Sequence, residues 1–392
     1  MNKGEKIYNF TIGDFDSSIF PIPRKLEEEI INAYKQHHTT YPPAEGILAL
    51  RDAVAKFISD REGLQFSSNE VLIAAGGRPL IYALYRALVD KGDKVIYSVP
   101  SWNNNHYTHF VEGVHAVIEA GSENNFMPTA DQIRPHIKGA ALISLCSPLN
   151  PTGTIFKKKE LEDICDMVLQ ENSERGEDEK KLYVMYDQMY WALTYKDSVH
   201  YNPVSLRPAM KDYTIFIDGI SKSFAATGVR VGWALGPQHV LNKMKAINSH
   251  VGAWSPMAEQ HATAKYLLQT QAIDLYFEHY KKELEDRLRL IHDGFQELKN
   301  QGLPVDSIAP QAAIYLTIQL NLAGKVAGEK ILEYQSEVTQ YILEEAKLAV
   351  VPFYTFGAQK NSSWYRLSVG TCKKEEISEM LANLKKALLK VR

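Results

Sequence analysis

The sequence predicts an α/β fold. We expect a three-layer α/β/α large domain with a mainly parallel seven-stranded sheet, and a smaller α+β domain formed from both chain ends. Short apolar runs alternate with helical patterns through the middle of the chain, which favours parallel strands joined by right-handed crossovers. Most of these runs are continuously apolar, as in strands that helices cover on both faces. The chain of 392 residues exceeds the usual size of one hydrophobic core, which favours two domains.

Seven apolar runs are predicted as the strands of the large domain. They cover residues 71–77, 94–100, 115–120, 140–148, 182–187, 214–219 and 229–236. Helical patterns lie between them, and the clearest is residues 79–92. Apolar side chains recur there at helical spacing, and a glycine stands at the C-terminal end.

The two chain ends are predicted to pair into the smaller domain. A helix is expected near residues 25–36, and strands are expected at 313–320 and 365–370. The predicted limits are 48–288 for the large domain, with 1–47 and 289–392 forming the small domain and its N-terminal arm. The charged segment 171–181 is predicted to be a solvated loop.

Composition excludes several classes of function. The formal net charge of −3 gives no electrostatic reason to expect a nucleic acid or an anionic membrane as partner. The N-terminus lacks the apolar core of a signal peptide, and no apolar run is long enough to span a bilayer. The three cysteines form no CxxC pair, which predicts a reducing cytoplasm and neither a disulfide framework nor a metal site.

Polar residues and glycines follow several predicted strands, where ligand sites form in parallel α/β sheets. Gly76 and Gly77 precede a helix, an arrangement that binds phosphate or only shapes a turn. Asn150 lies between two prolines, which hold its amide in one direction or make a rigid turn. Asp187 closes an apolar strand, either as a helix cap or as the partner of a cation or a protonated nitrogen.

Lys222 and Arg230 occupy a stretch of small and apolar residues, where cations are unexpected. A lysine among small residues beside an arginine should have a lowered pKa, and therefore more of the neutral amine that forms Schiff bases with aldehydes. Arg230 offers the bidentate geometry that suits a phosphate. An aldehyde with a phosphate and an acid-stabilised ring nitrogen describes pyridoxal 5′-phosphate (PLP).

Residues 219–232, "GISKSFAATGVRVG", resemble the lysine signature of the class I/II aminotransferases, which are fold type I PLP enzymes. The resemblance extends over nearly the whole chain in family order. Further matching blocks are "YPPAEGILALRDAVAKF" from Tyr41, the Asn-Pro-Thr-Gly block, the Asp-x-x-Tyr block and "WYRLSVG". The subgroup that it resembles is that of the aspartate aminotransferases.

The resemblance implies roles for the matching residues. Lys222 would form the Schiff base and carry the proton, Asp187 would pair with the ring nitrogen, and Trp102 would stack on the ring. Asn150 and Tyr190 would bind the phenolic oxygen of the ring, with Tyr190 counted among the catalytic residues. The phosphate ligands would be Gly77 and Arg78 through their backbone N–H groups, Ser221, Arg230, and Tyr41 from a second subunit. Arg366, Gly13 and Asn150 would bind the substrate and its α-carboxylate.

Three features depart from the family pattern. Gly219 stands where many relatives carry a serine, which implies one phosphate hydroxyl fewer. The segment "GDFDSSIFPIP" is longer than usual, which leaves the shape of the entrance open. Phe353 replaces a common glycine, so a different pocket width is expected there.

The resemblance implies an aminotransferase that works by a ping-pong exchange. Aspartate is the first expected donor, aromatic amino acids come next, and 2-oxoglutarate is the expected acceptor. The alternative is a PLP-dependent carbon–sulfur β-lyase or a decarboxylase of the same fold. A non-catalytic regulator is a third hypothesis, against which the intact Lys222 argues.

His106 and His109 are candidates for binding an acidic substrate side chain, or they are structural. A cytoplasmic homodimer with shared active sites is expected.

Overall fold

Two main sheets organise the chain in the computed structural model, which describes residues 4–196 and 198–392, and two smaller sheets have two strands each. One main sheet has seven strands with helices on both faces, and the other has four strands. The predicted fold class is thereby confirmed. Residues 1–3 of the predicted small domain, and residue 197, lie outside the described residues.

Elements are numbered here in chain order within the described residues. The strands are β1 (Tyr8–Asn9), β2 (Val71–Ala74), β3 (Lys94–Val99), β4 (Val114–Glu119), β5 (Ala140–Cys146), β6 (Tyr183–Asp187), β7 (Thr214–Gly219), β8 (Gly232–Leu235), β9 (Val305–Ser307), β10 (Tyr315–Leu320), β11 (Val326–Ala327), β12 (Lys330–Ile331), β13 (Leu348–Ala349), β14 (Val351–Pro352) and β15 (Trp364–Ser368). The helices are α1 (Arg24–Lys35), α2 (Leu48–Glu62), α3 (Gly77–Leu88), α4 (Asn104–Phe110), α5 (Ala130–Ile137), α6 (Lys158–Glu174), α7 (Pro203–Leu206), α8 (Ile220–Ser223), α9 (Gln238–Val251), α10 (Met257–Leu267), α11 (Thr270–Asn300), α12 (Gln335–Ala346) and α13 (Ile377–Leu388).

All seven predicted strands form the large sheet, in the order β2-β8-β7-β6-β5-β3-β4. The neighbours from β7 to β4 pair in parallel, whereas β8 is antiparallel to both β7 and β2. Since β2 and β7 are both antiparallel to β8, they point the same way. The carboxyl ends of six strands therefore meet at one edge of the sheet.

Burial of the strands follows from helices on both faces. Every residue of β7 is buried, and Ile215 and Ile217 face one helical layer while Phe216 faces the other. The first layer includes α3 and α9, and the second includes α2, α5, α6 and α10. The edge strand β4 is the exception to the continuous apolar pattern, because its side chains alternate between exposed and buried.

The four-stranded sheet, in the order β14-β15-β10-β9, is antiparallel and packs with the C-terminal helices. The N-terminal strand β1 pairs in parallel with β13, so the two chain ends meet in space. Helix α11 contributes Ile273 to the core beneath the large sheet and Leu284 onward to the second core. The domain limits 48–288, and 1–47 with 289–392, stay predictions.

The predicted solvated loop 171–181 is wrong in its first four residues, which are the last turn of α6. Asn172 is buried there, and its side chain bonds both backbone groups of Leu182 at 2.7 and 2.9 Å. Charge alone suggested a loop, but a solvated helix face has the same composition.

Across the described parts of the chain, no helix combines the length and the apolar character that crossing a bilayer requires.

Candidate active site

A cavity of about 600 Å³ opens at the carboxyl edge of the large sheet and includes residues of the four-stranded sheet in its lining. Eleven of the twelve predicted site residues line it. They are Gly13, Gly77, Arg78, Trp102, Asn150, Asp187, Tyr190, Ser221, Lys222, Arg230 and Arg366. Residues that lie far apart in the sequence therefore share one chamber.

The strand directions explain this convergence. Trp102 follows β3, Asn150 follows β5, and Asp187 is the last residue of β6. Lys222 lies in the short helix that follows β7, and Gly77 begins the helix that follows β2. Because these strands point the same way, the residues after them meet at one edge.

Lys222 brings an amine into the cavity. Its Nζ donates a hydrogen bond to the backbone oxygen of Gly13 at 2.6 Å. Burial lowers the pKa of Lys222 to about 8; the carboxylate of Asp14 opposes this shift, and the guanidinium groups of the cavity add to it. More of the amine is consequently neutral near pH 7 than in an exposed lysine, as its setting in the sequence predicted.

Asp187 brings in a carboxylate. The backbone N–H of Met189 donates to its Oδ1 at 3.1 Å, and burial raises the pKa of Asp187 to about 6. Turns rather than a helix follow this residue, so Asp187 does not cap a helix. A desolvated carboxylate with one backbone donor is stabilised by a protonated nitrogen placed beside it.

An anion site forms where α3 begins. Gly76 has a φ of 86°, and a Cβ atom there would overlap the guanidinium of Arg230. Arg230 itself is left-handed, with a φ of 63°, and donates to the backbone oxygens of Thr227 and Ala75, both at 2.7 Å. Backbone strain at a non-glycine residue persists where surrounding contacts hold it in place. The helix N-terminus and the fixed guanidinium together suit a phosphate.

Arg366, on β15, forms a second anion site. Its Nη1 donates to Oδ1 of Asn150 at 3.1 Å, and its Nη2 donates to the backbone oxygen of Thr11 at 2.7 Å. The Nε atom is buried without a hydrogen-bond partner. An unpaired buried donor on a charged group is costly, so the site favours an incoming acceptor such as a carboxylate.

Several lining residues escaped the sequence analysis, among them Asp14, Met189, Thr227 and Tyr315. Asp14 accepts a hydrogen bond from Oγ1 of Thr227 at 2.6 Å, and this bond joins the N-terminal segment to the loop after α8. Asp14 adjoins Gly13, a signal that was available in the sequence. Tyr315 lies in an apolar strand, where an aromatic residue is indistinguishable from core.

Tyr41 is the predicted site residue that lies elsewhere. Its side chain is 84% exposed, and its ring centroid is 5.3 Å from that of Trp254. His106 and His109 are exposed on α4 and lie outside the lining of the cavity. Neither histidine is placed to read a substrate side chain within this chain.

Two departures from the family pattern also lie outside the lining. A Cβ atom on Gly219 would stand 2.8 Å from both Cα of Gly232 and the backbone oxygen of Val231, so the residue packs tightly against β8. Phe353 is fully buried and packs edge-on against Phe126, with ring centroids 5.1 Å apart. It therefore does not narrow the cavity by direct contact.

One cavity thus offers a lysine amine, a buried carboxylate and two anion sites. These groups match an aldehyde, a ring nitrogen, a phosphate and a substrate carboxylate, respectively. The residues present therefore fit PLP together with an amino acid.

Comparison with known proteins gives consistent results. The family model described as Aminotransferase class I and II matches residues 5–384. An aspartate aminotransferase of Bacillus sp. (strain YM-2) is 31% identical over 363 residues, which are 90% of this chain and 85% of that protein. The aromatic aminotransferase of Pyrococcus horikoshii OT3 superposes with a TM-score of 0.86 at 25% identity, covering 98% of this chain and 96% of the other. The aspartate aminotransferase of Rhizobium meliloti shares the fold, with a TM-score of 0.90 at 24% identity, and the match covers 100% of this chain and 93% of the other.

We predict that Gly76→Ala weakens PLP binding at least tenfold, because its methyl group displaces the guanidinium of Arg230. Gly92→Ala is the matched control. Gly92 has nearly the same φ, 87°, but a Cβ atom there meets nothing within 4 Å. Gly92→Ala controls for an alanine at positive φ, but Gly76 also has a ψ of −177°, a region that glycine almost alone adopts, so Gly76→Ala carries extra backbone strain at the anion site in addition to the displaced guanidinium. PLP dissociation constants measured by fluorescence decide the matter, and equal affinities in the two variants would contradict the anion site.

Proposed function

Because the chain belongs to the class I and II aminotransferases, we propose that it moves the amino group of an L-α-amino acid to 2-oxoglutarate in a ping-pong exchange that uses PLP. Aspartate is the proposed first donor, and aromatic amino acids come next. The observation that carries this proposal is the opening of Lys222, Asp187 and Arg366 into one cavity. Similar proteins include aspartate and aromatic aminotransferases, which supports the choice of donors.

Bound PLP supplies an electron sink that makes the proton on the substrate Cα acidic. Lys222 would hold the cofactor, and its Nζ would take that proton as a neutral amine and return it. Its lowered pKa suits both tasks, because only the neutral amine is a nucleophile or a base. Asp187 would stabilise a protonated ring nitrogen through its buried carboxylate.

The remaining cavity residues hold the cofactor in place. The backbone N–H groups of Gly77 and Arg78, the hydroxyl of Ser221 and the guanidinium of Arg230 would bind the phosphate, and these four residues all line the cavity. Trp102 offers its ring face for stacking. Asn150 and Tyr190 would donate hydrogen bonds to the phenolic oxygen of the ring.

Arg366 binds the α-carboxylate that all amino-acid donors share. Its Nη1 bonds to Asn150, a proposed ligand of the ring, and its unpaired Nε favours an incoming carboxylate. Gly13 lines the same part of the cavity, and its Cβ position lies 3.6 Å from Nη1 of Arg366. A side chain at residue 13 would therefore compete with the substrate for space.

The side chain of Arg78, which the sequence predicts as a ligand only through its backbone, is the proposed group that recognises the side-chain carboxylate of an acidic substrate. Its guanidinium lies 5.6 Å from the centroid of the Trp102 ring, and that of Arg366 lies 6.0 Å from the same point. Within the described residues no carboxylate forms an ion pair with Arg78, so its charge is available. Two cations on one indole ring suit the two carboxylates of aspartate and of 2-oxoglutarate.

We predict that the holoenzyme, given aspartate alone, releases one equivalent of oxaloacetate per site and no ammonia. An aminotransferase retains the amino group until a second oxo acid arrives. A β-lyase instead releases ammonia and pyruvate over many turnovers from a donor with a sulfur leaving group. Oxo-acid and ammonia assays across the amino acids distinguish the two. Continuous ammonia release would overturn the proposed reaction in favour of the lyase.

We predict that Arg78→Gln lowers kcat/KM for aspartate and glutamate by roughly 10- to 100-fold, the value of one charge-assisted contact. Aromatic donors should lose less than about threefold, because they lack the second carboxylate. Arg86→Gln, on the same helix but outside the cavity, is the control and should change neither. Equal losses for all donors would show that Arg78 acts on the cofactor rather than on the side chain.

We also propose a homodimer in which Tyr41 of one subunit completes the phosphate site of the other. Its side chain is 84% exposed and lies outside the cavity of its own chain. The neighbouring Tyr34 and Leu48 are exposed as well, by 49% and 56%, and such aromatic and apolar surface is typical of interfaces. The cytoplasmic location stays a prediction.

We predict that activity recovers when Lys222→Ala chains are mixed with Tyr41→Phe chains and allowed to exchange subunits. With shared sites, each hybrid dimer has one site that carries both lesions and one that carries neither. Random mixing should thus restore about a quarter of the wild-type activity. Mixing Lys222→Ala with Asp187→Asn is the control, since both of those residues serve one chain's site and no hybrid site is intact. Failure of the first mixture to exceed its unmixed components would refute the shared site.

A further inference from the structure

Tyr315, at the start of β10, lies beside a proposed cofactor ligand but belongs to no role assigned above. Its hydroxyl oxygen is 2.6 Å from that of Tyr190, and both side chains line the cavity. We propose that Tyr315 is a positioning residue, which fixes the direction in which Tyr190 donates its proton and links Tyr190 to Arg366. This inference rests on the proposed function, in which Tyr190 serves the ring oxygen of PLP.

The number of available protons decides which of the two hydroxyls donates the hydrogen bond. Each hydroxyl has one proton to donate, and Tyr190 commits its proton to the ring oxygen. The 2.6 Å contact is then a hydrogen bond only if Tyr315 is the donor and Tyr190 the acceptor. A donor that itself accepts a hydrogen bond is strengthened, so Tyr315 makes Tyr190 a better donor.

The two tyrosine hydroxyls are buried, so water does not replace the hydrogen bond between them. Tyr315 and Tyr190 are only 2% and 4% exposed, so bulk water does not compete for their hydroxyl groups. Burial raises the pKa of both hydroxyls, which therefore stay protonated near neutral pH. A Cβ atom on Gly13 would stand 2.8 Å from the hydroxyl of Tyr315, so the glycine leaves room for this oxygen.

Arg366 connects the pair to the substrate. Its guanidinium carbon lies 4.7 Å from the centroid of the Tyr315 ring. A cation at this distance draws electron density from the phenol and strengthens its O–H as a donor. A substrate carboxylate on Arg366 neutralises that cation and weakens the donor. Filling the substrate site thereby reduces the hydrogen bonding that Tyr190 offers to the ring oxygen.

The charged groups that face the pair are few. The charge of Arg366 lowers the pKa of both tyrosines. The charge of Asp187 raises the pKa of Tyr190, and that of Asp14 raises the pKa of Tyr315. Lys222 Nζ lies 6.0 Å from the centroid of the Tyr190 ring. A titration of the bound cofactor therefore has to be compared among variants that leave all four charges in place, as Tyr→Phe variants do.

The test is a pH titration of the cofactor absorbance band in the holoenzyme. A donor to the ring oxygen favours the form that has lost its proton, so removal of the donor raises the pH midpoint. Tyr315→Phe should raise it by roughly 0.5 to 1 unit, the size expected for one neutral hydrogen bond. Tyr190→Phe should raise it further, and Tyr315→Phe should add nothing in the Tyr190→Phe background. A merely structural role would not produce this non-additivity.

Two further variants sharpen the result. Tyr195→Phe is the matched control, because Tyr195 is also buried but bonds to the backbone oxygen of Ala313 outside the cavity lining; its midpoint should stay at the wild-type value. Gly13→Ala displaces the Tyr315 hydroxyl without removing it and should raise the midpoint when Tyr190 is present but not in Tyr190→Phe. This variant also serves if Tyr315→Phe does not fold.

Three outcomes would overturn the inference. They are an unchanged midpoint in Tyr315→Phe, equal shifts in the presence and absence of Tyr190, and a shift in Tyr315→Phe without any in Tyr190→Phe. A chain that takes up no PLP would refute the cofactor assignment as well, and this failure is distinguished by the missing absorbance band.

The proposed link between Tyr315 and Arg366 is tested separately, by binding a dicarboxylate and measuring the pH midpoint of the cofactor band. Maleate, a dicarboxylate without an amino group, should move the midpoint of the wild-type holoenzyme upward, and by less in Tyr315→Phe. An equal maleate-induced shift in both proteins would show that occupancy of Arg366 does not act through Tyr315.

Discussion

The desolvation of one amine is the constraint on which the site depends. Lys222 Nζ has left bulk water, and the hydrogen bond that it makes goes to the backbone of Gly13, more than two hundred residues earlier in the chain. The N-terminal segment must therefore dock before the lysine acquires its environment. The pairing of β1 with β13 and the bond between Asp14 and Thr227 hold this segment in place. Substitutions that displace the N-terminal segment would consequently alter the burial and hydrogen bonding of Lys222 Nζ.

Much of the large sheet could be predicted from the sequence because its strands are buried on both faces. Mostly continuous apolar runs predicted all seven strands, and the residues around Lys222 marked it as a candidate nucleophile. Asp187 and Asn150 kept alternative interpretations, as a helix cap and a rigid turn, until the family resemblance was considered. The antiparallel direction of β8 has no such signal, since an apolar run is the same in either direction. The end of α6 was misjudged because charge does not separate a loop from a solvated helix.

Side-chain contacts between segments that are distant in the sequence could not be predicted within the site. Tyr315 has the pattern of a core residue, and only the folded chain shows that its hydroxyl meets that of Tyr190. Arg78 was expected to serve through its backbone, and only its position over Trp102 reveals an available side-chain charge. The resemblance supplied residue roles, but side-chain pairing across two sheets comes from packing that no local pattern encodes.

The pairing of β2 with β8 also has a consequence for how the chain is made. Strand β2 lies at the edge of the sheet opposite β4 and pairs with β8, with Ala74 opposite Gly232. At synthesis rates of ~5–20 residues per second, about 8 to 30 s separate the emergence of these two residues from the ribosome. During that interval Gly76 cannot yet contact Arg230, and Arg366 is synthesised later still. All of this chain's own residues at the anion site beside Gly76 are therefore synthesised before Arg366, so the order of synthesis supplies the first anion site before the second.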